Sequence, residues 1–142
     1  MKSNAKSVFK KLERKFDRVK SDATRVLANE GVKVFLSNFK TESFEGDKWQ
    51  EVQRRQPGTS PFNYPKKRDL NRRSRPILIG KTRKLRNATA SSIRYVGKNK
   101  IVWGNYLPYA AIQNENRPFM KVGRKFTRTL KMKLTSMFRQ VK

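Results

Sequence analysis

The residues best suited to chemistry are cations, and they gather at 66–75, 81–86 and 94–100. The candidate contact residues are Lys66, Lys67, Arg68, Arg72, Arg73 and Arg75 in the first cluster, Arg83, Lys84 and Arg86 in the second, and Arg94, Lys98 and Lys100 in the third. Side chains of this type make charge-assisted contacts with phosphate or carboxylate groups, which give affinity without reading a sequence and weaken as salt rises. Catalysis fits poorly. The chain has no His and no Cys, which removes histidine acid–base chemistry, disulfides and Cys/His zinc sites. Its ten carboxylates are scattered, with Glu115 alone in the second half. Gly80-Lys81-Thr82 matches the end of a phosphate-binding loop, but Arg75 and Pro76 occupy the place of the upstream glycine spacing. No catalytic residue, metal or cofactor is therefore expected, and the chain reads as a binding or assembly protein.

The charge supports that reading. Thirty-six Lys and Arg against ten Asp and Glu leave a formal +26 on 142 residues, well above the magnitude of about 2–8 that keeps a small domain soluble. The excess is uneven. Residues 1–69 carry 17 basic and 9 acidic side chains, a balance of +8, and residues 70–142 carry 19 basic and one acidic, a balance of +18. The second half is therefore the expected polyanion-facing part. Tyr95 and Trp103 lie among these cations and could stack on single-stranded bases. Their alternation with polar neighbours favours core packing instead.

The elements that must position these residues follow from periodicity. Phe9, Leu12, Phe16, Val19, Ala23 and Val26 recur at steps of three and four, which predicts an amphipathic helix over 5–29 with its stripe in the core. Gly31 interrupts that pattern before Val32, Phe35, Leu36 and Phe39 resume it, so either one long helix or two bent helices are expected. From 41 to 76 the periodicity fails. Pro57-Gly58, Pro61 and Pro65 demand turns, and Phe44 and Trp49 are candidate anchors. A short helix burying Leu85 is expected within 81–90. Ile93 to Trp103 reads as a hairpin turning at Gly97-Lys98-Asn99-Lys100. Phe126, Leu130, Leu134, Met137 and Val141 mark a second amphipathic helix over about 122–140, basic on its other face.

One domain over 1–142 is expected, with a helical region at 1–40, an extended basic loop at 41–76, a hairpin and sheet region at 77–120 and a terminal helix at 121–142. The fold class is α+β, a small antiparallel sheet packed against long N-terminal and C-terminal amphipathic helices, with a long basic loop. Met1 to Lys6 lead into no apolar segment, and no run approaches the length that crosses a bilayer, so a cytoplasmic origin without membrane insertion is expected.

The stretch from Ile77 to Met120 resembles the virion morphogenesis and tail-completion proteins of tailed bacteriophages. That family has Thr-Gly-x-Leu before a hairpin, where this chain has Thr82-Arg83-Lys84-Leu85. It then has Tyr-Ala-x-Ile-His-Asn-Glu-Gly and Arg-Pro-Phe, where this chain has Tyr109-Ala110-Ala111-Ile112-Gln113-Asn114-Glu115-Asn116 and Arg117-Pro118-Phe119. Arg83 and Asn116 replace glycines of the pattern, Gln113 replaces its histidine, and the insert before Arg-Pro-Phe is missing. The upstream helix with Phe35 and Phe39, and Trp49 after it, also resembles the family's N-terminal half, so the resemblance covers about 100 residues, and it brings no catalytic residue. It implies an α+β subunit of a ring in the virion neck, made in the bacterial cytoplasm. Such a subunit would contact other copies of itself, portal-side connector and tail proteins, and the double-stranded DNA that passes through. The cationic clusters would then face either that DNA or an acidic protein partner. A sequence-independent nucleic-acid-binding protein acting alone, on DNA or ribosome-associated RNA, is the competing expectation.

Overall fold

A computed structural model describes residues 5–64 and 70–141; Lys66, Lys67 and Arg68 of the first cationic cluster lie outside them. Helix α1 runs unbroken from Ala5 to Thr41. At about 1.5 Å per residue its 37 residues span about 55 Å. Gly31 does not bend it. An added Cβ there would stand 2.7 Å from Cζ2 of Trp103 and 3.2 Å from Cε2 of Phe126. Glycine at this position therefore serves close packing. Glu42, at φ 51, ends the helix in the left-handed region.

The chain then turns in a small hairpin, β1 (Ser43–Phe44) with β2 (Asp47–Lys48). Its two turn residues, Glu45 and Gly46, both have positive φ, as a tight hairpin requires. Trp49 follows and is buried, edge-on to Phe39, with its indole N–H donating to the Pro118 carbonyl at 3.2 Å. A 3₁₀ turn at Gln53–Arg55, the short helix α2 (Ser60–Asn63) and a second 3₁₀ turn at Leu70–Arg72 make up the described part of the basic loop.

Helix α3 (Lys84–Ala90) buries Leu85, Ala88 and Thr89. The second hairpin, β3 (Ile93–Val96) with β4 (Ile101–Trp103), has the expected span and turn, but not the expected faces. Ile93 pairs with Trp103 and Tyr95 with Val102, with an irregularity between. Two residues on one strand thus match one step on the other, and Tyr95 joins Val102 on the outer face. Trp103 enters the core as expected, whereas Tyr95 is 55% exposed. Helix α4 (Ala110–Asn116) and helix α5 (Arg124–Arg139) complete the chain.

The architecture is the expected α+β arrangement, a long N-terminal and a C-terminal helix in contact with each other and with small antiparallel sheets. One core cluster joins Phe39, Trp49, Ile77, Leu85, Ala110 and Phe119. A second joins Val34, Phe35 and Phe126, with Trp103 and Leu130 against it. Met120 packs on both. Phe126 stacks on Phe35 at 5.1 Å, while Phe138 meets Phe16 at 6.3 Å, so α5 runs antiparallel to α1.

The sixteen residues of α5 cover about 24 Å, less than half of α1. Val8, Phe9 and Leu12 are accordingly exposed, with Phe9 at 72%, Phe16 is only partly covered by Phe138, and the upper part of the apolar stripe is not core. The N-terminus of α5 is held from a distance, since the Glu45 carboxylate accepts from the Lys125 N–H at 2.9 Å.

Candidate cationic interface

Three local devices shape the surface that carries the cations. The Glu42 carboxylate clamps the basic loop to the end of α1, accepting from Arg55 Nη1 at 2.8 and 2.9 Å and from the Ile77 N–H at 2.6 Å. Its hydrogen bond holds the Arg55 guanidinium above its ordinary proton affinity. Arg54 donates from Nε and Nη2 to the carbonyls of Arg72, Arg75 and Pro76 at 3.1–3.3 Å, which fixes the descending end of the loop. Burial, and then the neighbouring charge of Arg72, lowers its proton affinity. Arg117 donates to the Gln50 carbonyl at 3.1 and 3.3 Å, and so ties the end of α4 to the segment after Trp49.

The sequence-predicted cations fall into separate places on this frame. Arg72, Arg75 and Lys84 line a cavity of about 480 Å³ together with Arg54, Lys81 and Arg117. Arg83 and Arg86 belong to a groove on the other side of the Pro76–Ile79 segment, where Lys33 and Lys40 of α1 join them. Ile79 lines both. Arg94, Lys98 and Lys100 lie on the second hairpin. Arg94 donates to the Gly104 carbonyl at 3.0 Å and sits 5.7 Å from the centre of the Tyr106 ring. Lys98 borders a groove with Lys20 and Arg25 of α1. Arg73 instead stacks over Phe62 at 4.5 Å, and its Nε is buried with no hydrogen-bond partner among the described residues.

Ion pairs join Lys33 to Glu30 and Arg55 to Glu42 and Glu51. Ten acids cannot neutralise thirty-six cations, so the surface stays strongly positive. Sequence reasoning did not select Lys20, Arg25, Lys33, Lys40 or Arg54, because only the folded chain brings α1 and the 53–55 turn beside the later clusters.

The residues that carry the resemblance are divided between core and surface. Ala110 and Phe119 are buried, while Tyr109 and Ile112 are exposed. Asn114 closes the segment: its side-chain oxygen accepts from the N–H groups of Phe119 at 2.9 Å and Met120 at 2.8 Å. Pro118 supplies the carbonyl that Trp49 binds, and the Phe119 carbonyl accepts from Asn38 at 3.2 Å. Thr82 is exposed in the turn before α3, and Leu85 is buried. Arg83 stands between them at φ 53, a backbone region that favours glycine. Asn116, where the pattern has its other glycine, does not adopt a left-handed backbone. Among the described residues no group of three or more His, Cys, Asp or Glu is placed to hold a metal ion, and no described helix is long and apolar enough to cross a membrane. No family model, curated protein or solved structure matches this chain.

Proposed function

We propose that this chain is a non-enzymatic structural subunit of a tailed-phage virion. In this reading it forms a neck or tail-completion ring that joins the head connector to the tail around the DNA path. The observation that carries the reading is Arg83. The family pattern has glycine at this position, and here a residue with a Cβ takes the left-handed conformation that glycine takes readily. The seam made by Ala110, Asn114, Pro118 and Phe119 supports it as well, since the motif residues are those that close the core against Trp49 and Asn38.

The cations give such a ring a function. Phosphate contacts from Arg94, Lys98 and Lys100 would hold or guide a duplex without reading its bases. Other copies of the chain and acidic neighbours would complete the ring, which +26 on each subunit would otherwise oppose.

Cryo-electron microscopy of particles that contain the chain is the test. A cyclic ring of this subunit at the head–tail junction is expected, and particles without it at that place would overturn the reading. Reversing Arg94, Lys98 and Lys100 to Glu should leave the fold intact and impair assembly or genome retention. Normal particles from that variant would remove the hairpin from the DNA path.

A second reading is favoured by the exposure of Tyr95 and Tyr106 beside Arg94. Aromatic rings next to cations suit stacking on single-stranded bases, and so suit a nucleic-acid-binding protein that acts alone. Such a protein would bind single strands as a free monomer or dimer with a steep salt dependence and would be absent from virions.

A further inference from the structure

The cavity between the basic loop and α3 combines two chemistries. Its floor is aliphatic, made by Ile77, Leu78, Ile79 and Leu85. Its exposed rim is cationic, made by Arg72, Lys81 and Lys84, and among the described residues no Asp or Glu lines it. Arg54 and Arg117 belong to the wall, because their Nε and Nη2 donors are held by backbone carbonyls. Leu78 lies on the floor at φ 60, a backbone state that side chains adopt at a cost and that clusters at ligand clamps.

A nucleic-acid duplex would satisfy the rim and leave the floor empty, since its outer surface is phosphate and sugar. A peptide that carries carboxylates on both sides of an aliphatic residue satisfies both. The volume of about 480 Å³ is within the range of sites that take such groups. A second copy of this chain is a poor donor. Its densest acids, Glu42, Glu45 and Asp47, are built into the end of α1 and the first hairpin.

We propose that this cavity receives an acidic segment of a partner protein, with one aliphatic side chain on Leu78 and Ile79 and flanking carboxylates against Arg72, Lys81 and Lys84. The proposal rests on the cationic reading of this face and not on the phage assignment.

The test is fluorescence polarisation with the full chain and a labelled heptapeptide, one central leucine between two triplets of Asp and Glu. A matched peptide with alanine at the centre and a short DNA duplex serve as competitors. The leucine peptide should bind at least about tenfold more tightly than the alanine peptide, as burial of the larger side chain requires. Lys81→Glu with Lys84→Glu should weaken it by at least about tenfold, whereas Lys131→Glu with Lys133→Glu, an equal change of net charge on α5, should alter it by less than about threefold at physiological salt. Circular dichroism of both variants establishes that they are folded.

Equal affinity for the two peptides, or indifference to reversal of Lys81 and Lys84, overturns the proposal. Binding of the duplex without the peptide overturns it and leaves the cationic reading standing. Binding of neither overturns both.

Discussion

Replacing Gly31 with alanine sets two effects against each other, and the structure decides the sign. In a helix interior alanine is favoured over glycine by about 0.8–1.0 kcal/mol. The new Cβ, however, would stand 2.7 Å from Cζ2 and 3.0 Å from Cε2 of Trp103, and 3.2 Å from Cε2 of Phe126. Carbon atoms rest at about 3.5–4.0 Å, so the rings must retreat by close to an ångström. They are not free to do so. Trp103 is held by its hydrogen bond to the Ala28 carbonyl at 3.0 Å, and both rings pack on Phe35. Overpacking of this kind costs about 1–3 kcal/mol, which leaves a net loss of up to about 2 kcal/mol after the propensity gain. For a chain of this size the melting temperature should fall by as much as about 8 °C. Thermal denaturation followed by circular dichroism measures it, with Gly80→Ala as control. Gly80 has open space around its Cβ direction and no positive φ, so alanine there should leave the melting temperature unchanged or raise it slightly. In a Trp103→Phe background, which removes the nearest ring atoms, the cost of Gly31→Ala should shrink. A Gly31→Ala protein that melts above the parent would refute the close-approach account.

Other consequences are equally direct. Asn114→Ala strands the N–H groups of Phe119 and Met120 and should cost about 1–3 kcal/mol in urea denaturation, with Asn114→Asp losing less because it keeps the acceptor. Glu42→Ala should release the Arg55 and Ile77 contacts together, so hydrogen exchange at the Ile77 amide should accelerate well beyond that of amides inside α5. Phe9→Ser and Leu12→Ser should change stability by no more than about 0.5 kcal/mol, since both side chains face solvent, whereas Phe126→Ala should cost about 3–5 kcal/mol.

Much of the fold was legible because its signals are local. The stripe of α5, the hairpin at 93–103 and the burial of Leu85 each follow from spacing or turn residues within a short window. The β1–β2 hairpin was not legible. Each of its strands has two residues, too few to show alternation, and Glu45-Gly46 is a weaker turn signal than Asn-Gly or Asp-Gly. The side taken by Tyr95 was misread because an irregularity between Ile93 and Tyr95 changes the face without leaving a mark in the hydrophobic pattern. The upper stripe of α1 was misread for another reason: periodicity shows that a helix is amphipathic, not whether a shorter neighbour is long enough to cover it.

The sequence by itself determined the charge, its concentration in the second half, the lack of His and Cys, and the period of each long element. These are additive or short-range properties, and folding does not alter them. Which cations share a surface was decided only by tertiary structure. Lys33 and Lys40 meet Arg83 and Arg86 because α1 passes behind the Pro76–Ile79 segment, and Arg72 meets Lys84 because Arg54 and Glu42 pin the loop between them. The same packing turned three cationic runs into a cavity, a groove and a hairpin. Long-range contacts between residues distant in the chain set that grouping, and no local pattern of residue types encodes them.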